Sequence, residues 1–154
     1  MGIIYLFLMK RKAVGNIDPQ AAGEPASVLR EPEAPYLVGR VREGLPMAEF
    51  RALRELLALT EERLAALLGM SRATLHRRKK SRLLDRAESD RLVRFARLFS
   101  RATEALGGTE GARSWLVAPA VAFHGECPLD FADTEIGARE VEALLGRLQY
   151  GVFS

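Results

Sequence analysis

Residues 59–80, "LTEERLAALLGMSRATLHRRKK", restrict the fold more than any other part of the chain. Thr60 is suited to cap a helix, Glu61 and Glu62 stand in its first turn where the helix dipole favours acids, and Leu64, Leu67 and Leu68 share one face. Gly69 then interrupts the pattern, because a residue without a Cβ readily adopts the left-handed conformation that closes a helix. Met70 is placed to tuck into the core and Ser71 to cap a second helix over about residues 72–82. A short helix, a glycine turn and a second capped helix have the organisation of a helix-turn-helix. Ala65, four residues before Gly69, supplies the small side chain needed where the helices cross, and Leu64, Leu68 and Leu75 supply the apolar contact between them.

The flanking segments carry helical periodicity as well, so the expected fold class is all-α. Pro46 suits a first turn, and Phe50, Leu53, Leu56 and Leu57 predict a helix over about residues 47–58. Leu92, Phe95, Phe99, Ala102 and Leu106 mark the buried stripe of a longer helix over about residues 86–106. Arg94, Arg97 and Arg101 run beside that stripe and either extend a phosphate-binding surface or pair with acidic neighbours. Gly107 and Gly108 stop the helix, Thr109 is positioned to cap a short one holding Trp115 and Leu116, and Pro119 closes it. Residues 120–133 read as a loop anchored by Val121, Phe123, Leu129 and Phe131. Asp133 or Thr134 then starts a last helix with Ile136, Val141, Leu144, Leu145 and Leu148 inward. The expected organisation is a mobile arm or linker over 1–45, a helix-turn-helix domain over 46–106 and a small helical domain over 107–154.

Charge separates these parts. Residues 46–106 hold 14 Lys and Arg against 8 Asp and Glu, whereas residues 107–154 hold 3 against 7. A basic middle and an acidic end suggest two partners of opposite character. Within the basic part, Arg72, Ala73, His76, Arg77 and Lys80 fall on one side of the second helix. Arginine can donate two hydrogen bonds to a guanine edge, and lysine or arginine neutralises phosphate, so Ser71, Arg72, Thr74, His76, Arg77 and Lys80 are candidate DNA-binding residues. The competing reading is a solvated basic face. Arg78 stands where many helix-turn-helix proteins keep an aliphatic core residue, which predicts looser packing toward the end of that helix.

Other chemistries find no support. His124 and Cys127 have the spacing of half a metal site, but a structural zinc needs about four ligands and no second pair occurs at suitable spacing. No phosphate-cradling glycine loop or activated nucleophile occurs, so neither an enzyme nor a cofactor or metal is expected. The single cysteine suits a reducing cytoplasm. The apolar run "IIYLFLM" at residues 3–9 is too short to cross a bilayer and has its positive charges after it, which argues against a signal peptide and leaves a short strand, a dimer-contacting segment or an early start. Residues 10–35, rich in Pro, Gly, Ala and Glu, read as a linker.

From about residue 40 the chain reads "REGLPMAEFRALRELLALTEERLAALLGMSRATLHRRKK", then "ESDRLVRFARLF", "ARSWLVAPAVAF" and "CPLDFADTEIGAREVEALLGRLQYGVFS". In this order and spacing it resembles the Xre-type antitoxins with an MbcA/ParS-like toxin-binding domain. The resemblance is carried by Leu75, Arg77, Arg78 and Lys79 after the turn, by Trp115 to Pro119, by Pro128 to Asp130, and by Gly137, Val141, Leu144, Leu145, Gly146, Arg147 and Gly151. It implies a bacterial type II antitoxin whose partner is a RES-domain toxin, an enzyme that depletes NAD. It further implies that the C-terminal region covers the toxin's active site, which places Arg147, Gln149, Tyr150, Gly151, Val152, Phe153 and Ser154 in the toxin-binding set. Repression of its own operon DNA as a homodimer or higher oligomer is also implied. The departures from that pattern are residues 1–40 and the loop from Phe123 to Cys127. From the residues alone, Tyr150, Val152 and Phe153 either enter a partner's pocket or fold back as core. The alternative function is an ordinary helix-turn-helix transcription regulator with a C-terminal dimerisation domain.

Overall fold

The computed structural model describes residues 34–151; the expectations for residues 3–9 and 10–33, and for Val152, Phe153 and Ser154, lie outside the described residues. The described chain is all-α. Its helices are α1 (Ala34–Glu43), α2 (Met47–Leu57), α3 (Glu61–Leu67), α4 (Arg72–Ser81), α5 (Arg86–Ala105), α6 (Thr109–Val117), α7 (Pro128–Phe131) and α8 (Glu135–Tyr150), with a 3-10 turn at Val121–Phe123. None is long and apolar enough to cross a membrane.

The caps read at Thr60, Ser71 and Thr134 are in place, each a hydroxyl meeting a free amide. Thr60 Oγ1 accepts from the Arg63 amide, Ser71 Oγ from the Thr74 amide and Thr134 Oγ1 from the Gly137 amide, each at 3.1 Å. α5 starts with a full capping box: Asp85 accepts from the Glu88 amide at 2.8 Å, and Glu88 accepts from the Asp85 amide at 2.9 Å. Thr109 differs from expectation. Gly108, at φ 153 and ψ 174, occupies the cap position, and Thr109 is the first helical residue. Residues 34–43, expected to belong to the mobile arm or linker, instead form α1, which lies against α5 with Leu37 half-buried on the core.

α5 is the central helix. It packs on α8, α6, α1 and α2, and its Leu92, Phe95, Leu98, Phe99 and Ala102 are all buried. One continuous core runs from Phe50, Leu53 and Leu64 through this helix to Leu116, Leu129, Val141 and Leu145. Two expected anchors do not join it. Val121 is 98% exposed because the tight turn directs only Phe123 inward, where its ring stacks on Phe131 at 4.7 Å and meets Trp115 edge-on at 6.4 Å. Ile136 is 78% exposed: five residues before Val141, it falls well off the stripe of Ala138, Val141 and Leu145. The residue beside it, Gly137, is there because α7 comes so close that a Cβ would overlap the carbonyl oxygen of Phe131.

The start of α2 and the exit of α4 are tied by an antiparallel bridge between Pro46 and Leu83. Met47 N–H donates to Arg82 O at 2.9 Å and Leu84 N–H to Leu45 O at 2.8 Å, while the buried Ser89 hydroxyl accepts from Leu45 N–H at 2.8 Å. The helix-turn-helix is therefore clamped at its far end as well as through its apolar contacts.

Candidate functional site

α4 presents one face to the protein and one to solvent. Leu75 is buried, Thr74 and Arg78 are half-buried, and Ser71, Arg72, Ala73, His76, Arg77 and Lys80 are exposed. The hydroxyls at its start have a structural task, since Ser71 Oγ both accepts from the Thr74 amide and donates to Thr74 Oγ1 at 3.1 Å. The long side chains decide the character of the outer face.

Most cations of the basic segment have a partner. Arg94 bonds Glu135 at 3.2 Å and the Asp133 carbonyl at 3.0 Å, and Arg97 bonds Glu142 at 2.6 Å. Arg101 lies 3.8 Å from Glu142. The arginine stripe of α5 thus pairs with the acidic C-terminal part, the second of the two readings its spacing left open. Desolvation opposes the charge on Arg97, but Glu142 and Glu135 outweigh it and hold that guanidinium above its ordinary pKa. Arg91 donates to the Leu68 carbonyl at 2.8 Å, satisfying the end of α3 beside Gly69. Lys79 pairs with Glu61 of α3 and through that hydrogen bond holds the Glu61 carboxyl below its usual range.

Arg78 is the departure from the looser packing expected at the end of α4. Its Nε donates to Glu88 at 2.7 Å and its terminal nitrogen to Asp85 at 2.8 Å, so a guanidinium takes the place of an aliphatic contact. What remains on and just after α4 are Arg72, Arg77, Lys80 and Arg82, exposed and without an ion pair among the described residues. These free cations, together with the amides of the helix start, form a surface suited to a polyanion.

A second set of residues closes the other end of the chain. Arg147, Gln149 and Tyr150 are exposed at the end of α8, and Gly151, at φ 66, closes the helix by donating to the Arg147 and Leu148 carbonyls. Tyr150 is 78% exposed, so its ring is no part of the core.

Several residues that join the two parts were invisible to sequence reasoning. Arg63 of α3 donates to both oxygens of Asp130 at 2.6 and 2.7 Å, and the Cys127 thiol donates to the same carboxylate at 3.0 Å. Burial opposes ionisation of Asp130, but the thiol and the guanidinium prevail and lower its pKa. Burial, with Asp130 adding to it, pushes the Cys127 thiol up, so this group is a hydrogen-bond donor and not a nucleophile. Arg113 of α6 caps the end of α2 by donating to the Leu56 carbonyl at 2.5 Å. The partners lie 67 and 57 residues apart along the chain, beyond any spacing rule.

Comparison with known proteins finds two family domains matched one after the other along the chain. Residues 37–97 match the antitoxin Xre-like helix-turn-helix domain, and residues 101–151 match the antitoxin Xre/MbcA/ParS C-terminal toxin-binding domain. An antitoxin Xre from Yersinia enterocolitica is 38% identical over 85 residues, covering 54% of this chain and 57% of that relative. An antitoxin Xre from Photorhabdus laumondii is 26% identical over 151 residues, covering 97% and 99%.

Proposed function

We propose that this chain, which belongs to the Xre-type antitoxin family, neutralises a partner toxin through the end of α8 and binds operator DNA through α4. The observation that carries the toxin-binding part is the exposed end of α8: Arg147, Gln149, Tyr150 and Gly151 stand clear of the core, and Val152, Phe153 and Ser154 come next in sequence. An aromatic ring at a helix end, next to free polar groups, is the kind of anchor that fills a partner's pocket. The partner in this reading is a RES-domain toxin that degrades NAD, and the antitoxin blocks access to the active site without touching NAD itself. Residues 107–154 act as the toxin-binding unit and residues 46–106 as the DNA-binding unit, in the cytoplasm. At least a dimer is needed for paired half-sites, since helix-turn-helix proteins usually read pseudo-palindromes one helical turn apart.

Co-expression with the adjacent open reading frame tests the partner. The two proteins are expected to copurify, and cellular NAD is expected to fall when the neighbour is expressed alone and to hold when this chain accompanies it. Absence of both effects would leave an ordinary transcription regulator as the better account. On the DNA side, Ser71, Arg72, Thr74, His76, Arg77 and Lys80 form the reading face. Changing Arg72 and Arg77 together to Ala is expected to weaken binding to the DNA upstream of the gene, by about 1 to 3 kcal/mol for each side chain that reads a base. Unchanged affinity across a salt titration would remove α4 from the interface.

A further inference from the structure

The run His76-Arg77-Arg78-Lys79-Lys80 looks uniform in sequence, yet the fold divides it into two sets. Arg77 and Lys80 point to solvent, whereas Lys79 is paired with Glu61 of α3 and Arg78 is drawn back toward α5. The Arg78 side chain is only 18% exposed and its partner Glu88 only 6%, so this is an enclosed pair and not a surface contact. It also meets a special pair of acceptors. Asp85 and Glu88 are the two members of the capping box that starts α5, and each already accepts an amide of the other. The fork of one guanidinium spans both carboxylates, which fixes the exit of α4 to the start of α5 across a link of only Arg82, Leu83, Leu84 and Asp85.

We propose that Arg78 and Glu88 are positioning residues for DNA recognition: they set the orientation of α4 on the duplex without contacting it. The inference rests on the reading of α4 as the DNA-binding helix. Bidentate recognition of a base tolerates little angular error, so a helix released at its exit loses discrimination between sequences before it loses attraction to phosphate. Arg77 and Lys80 retain that attraction, because neither depends on the Arg78 pair.

The full-length chain is titrated with two duplexes, the fragment directly upstream of its gene and a scrambled duplex of equal length, over a range of salt concentrations. Four variants are compared below their melting temperatures: Arg77→Ala, Arg78→Met, Arg78→Lys and Glu88→Gln. Glu88→Gln keeps the capping-box acceptor and so preserves the fold if Arg78→Met does not. Arg77→Ala is expected to weaken both duplexes and to reduce the salt slope by about 1. Arg78→Met is expected to lower the ratio of specific to scrambled affinity roughly tenfold, the scale of a single bidentate base pairing, with the salt slope unchanged. Glu88→Gln should shift the ratio in the same direction by less, and Arg78→Lys should recover part of it. A salt slope reduced by Arg78→Met as it is by Arg77→Ala would place Arg78 on a phosphate and overturn the proposal. An unchanged ratio in folded Arg78→Met and Glu88→Gln would overturn it too. If the wild type shows no preference and Arg77→Ala has no effect, the DNA-binding reading itself fails, and this one with it.

Discussion

A chain lacking residues 146–154 is expected to fold, to bind its DNA and to give no protection against its toxin. Among the described residues, the deletion removes the last turn of α8 and Gly151 but none of the fully buried side chains, since the inward stripe of α8 ends at Leu145. The exposed Tyr150 goes with it. Anchors of this type, enclosed in a partner's pocket, commonly carry about 2 kcal/mol or more each, and removing several together weakens a complex by roughly a thousandfold or beyond. Cellular NAD during co-expression, together with copurification, measures the effect. Full protection by the truncated chain would refute the role given to the end of α8, and Tyr150→Ala would then be expected to be silent as well.

Replacing Phe99 by Ala is expected to cost about 3 to 5 kcal/mol, a large share of the stability of a protein this size. Phe99 is 2% exposed on the helix that touches α1, α2, α6 and α8, and the core around it is continuous. The loss should therefore appear at once in the DNA binding and in the toxin neutralisation proposed for the chain. Urea unfolding monitored by far-ultraviolet circular dichroism reports the helices as a whole, while fluorescence of the single tryptophan, Trp115, reports the C-terminal part. The two curves should coincide and shift together in the variant. Separate transitions, with only one displaced, would show that the parts are stabilised independently.

The features legible in the sequence were those written within a few residues of one another. Thr60, Ser71 and Thr134 cap the helices they precede, Gly69 turns the chain at φ 77, and Leu64, Leu68 and Leu75 meet in the core. Local signals misled where a competing geometry intervened. Ile136 lies in an apolar pattern but at the wrong angle on α8, Val121 loses its place to Phe123, and Gly108 takes the cap position next to Thr109. Long-range pairing had no local sign. The fates of Arg94, Arg97 and Arg101 depended on where Glu135 and Glu142 came to rest, and Arg78 appeared as an unfilled core position until the α5 capping box stood beside it. The exposed face of α4 was readable from its periodicity, but which of its basic residues remain free depended on the tertiary fold.

α5 bears on how antitoxins of this kind can be recombined. The match to the helix-turn-helix domain ends at residue 97 and the match to the C-terminal toxin-binding domain begins at residue 101, so the seam between them falls inside an unbroken helix, Arg86–Ala105. A chimera joined at that seam would sever Arg63 from Asp130, Arg97 from Glu142 and Arg113 from the end of α2 unless the donors supplied matching partners. With the toxin-binding role proposed for the end of α8, exchange of toxin specificity between relatives is therefore expected to be easier by grafting that last turn than by swapping the unit that bears it.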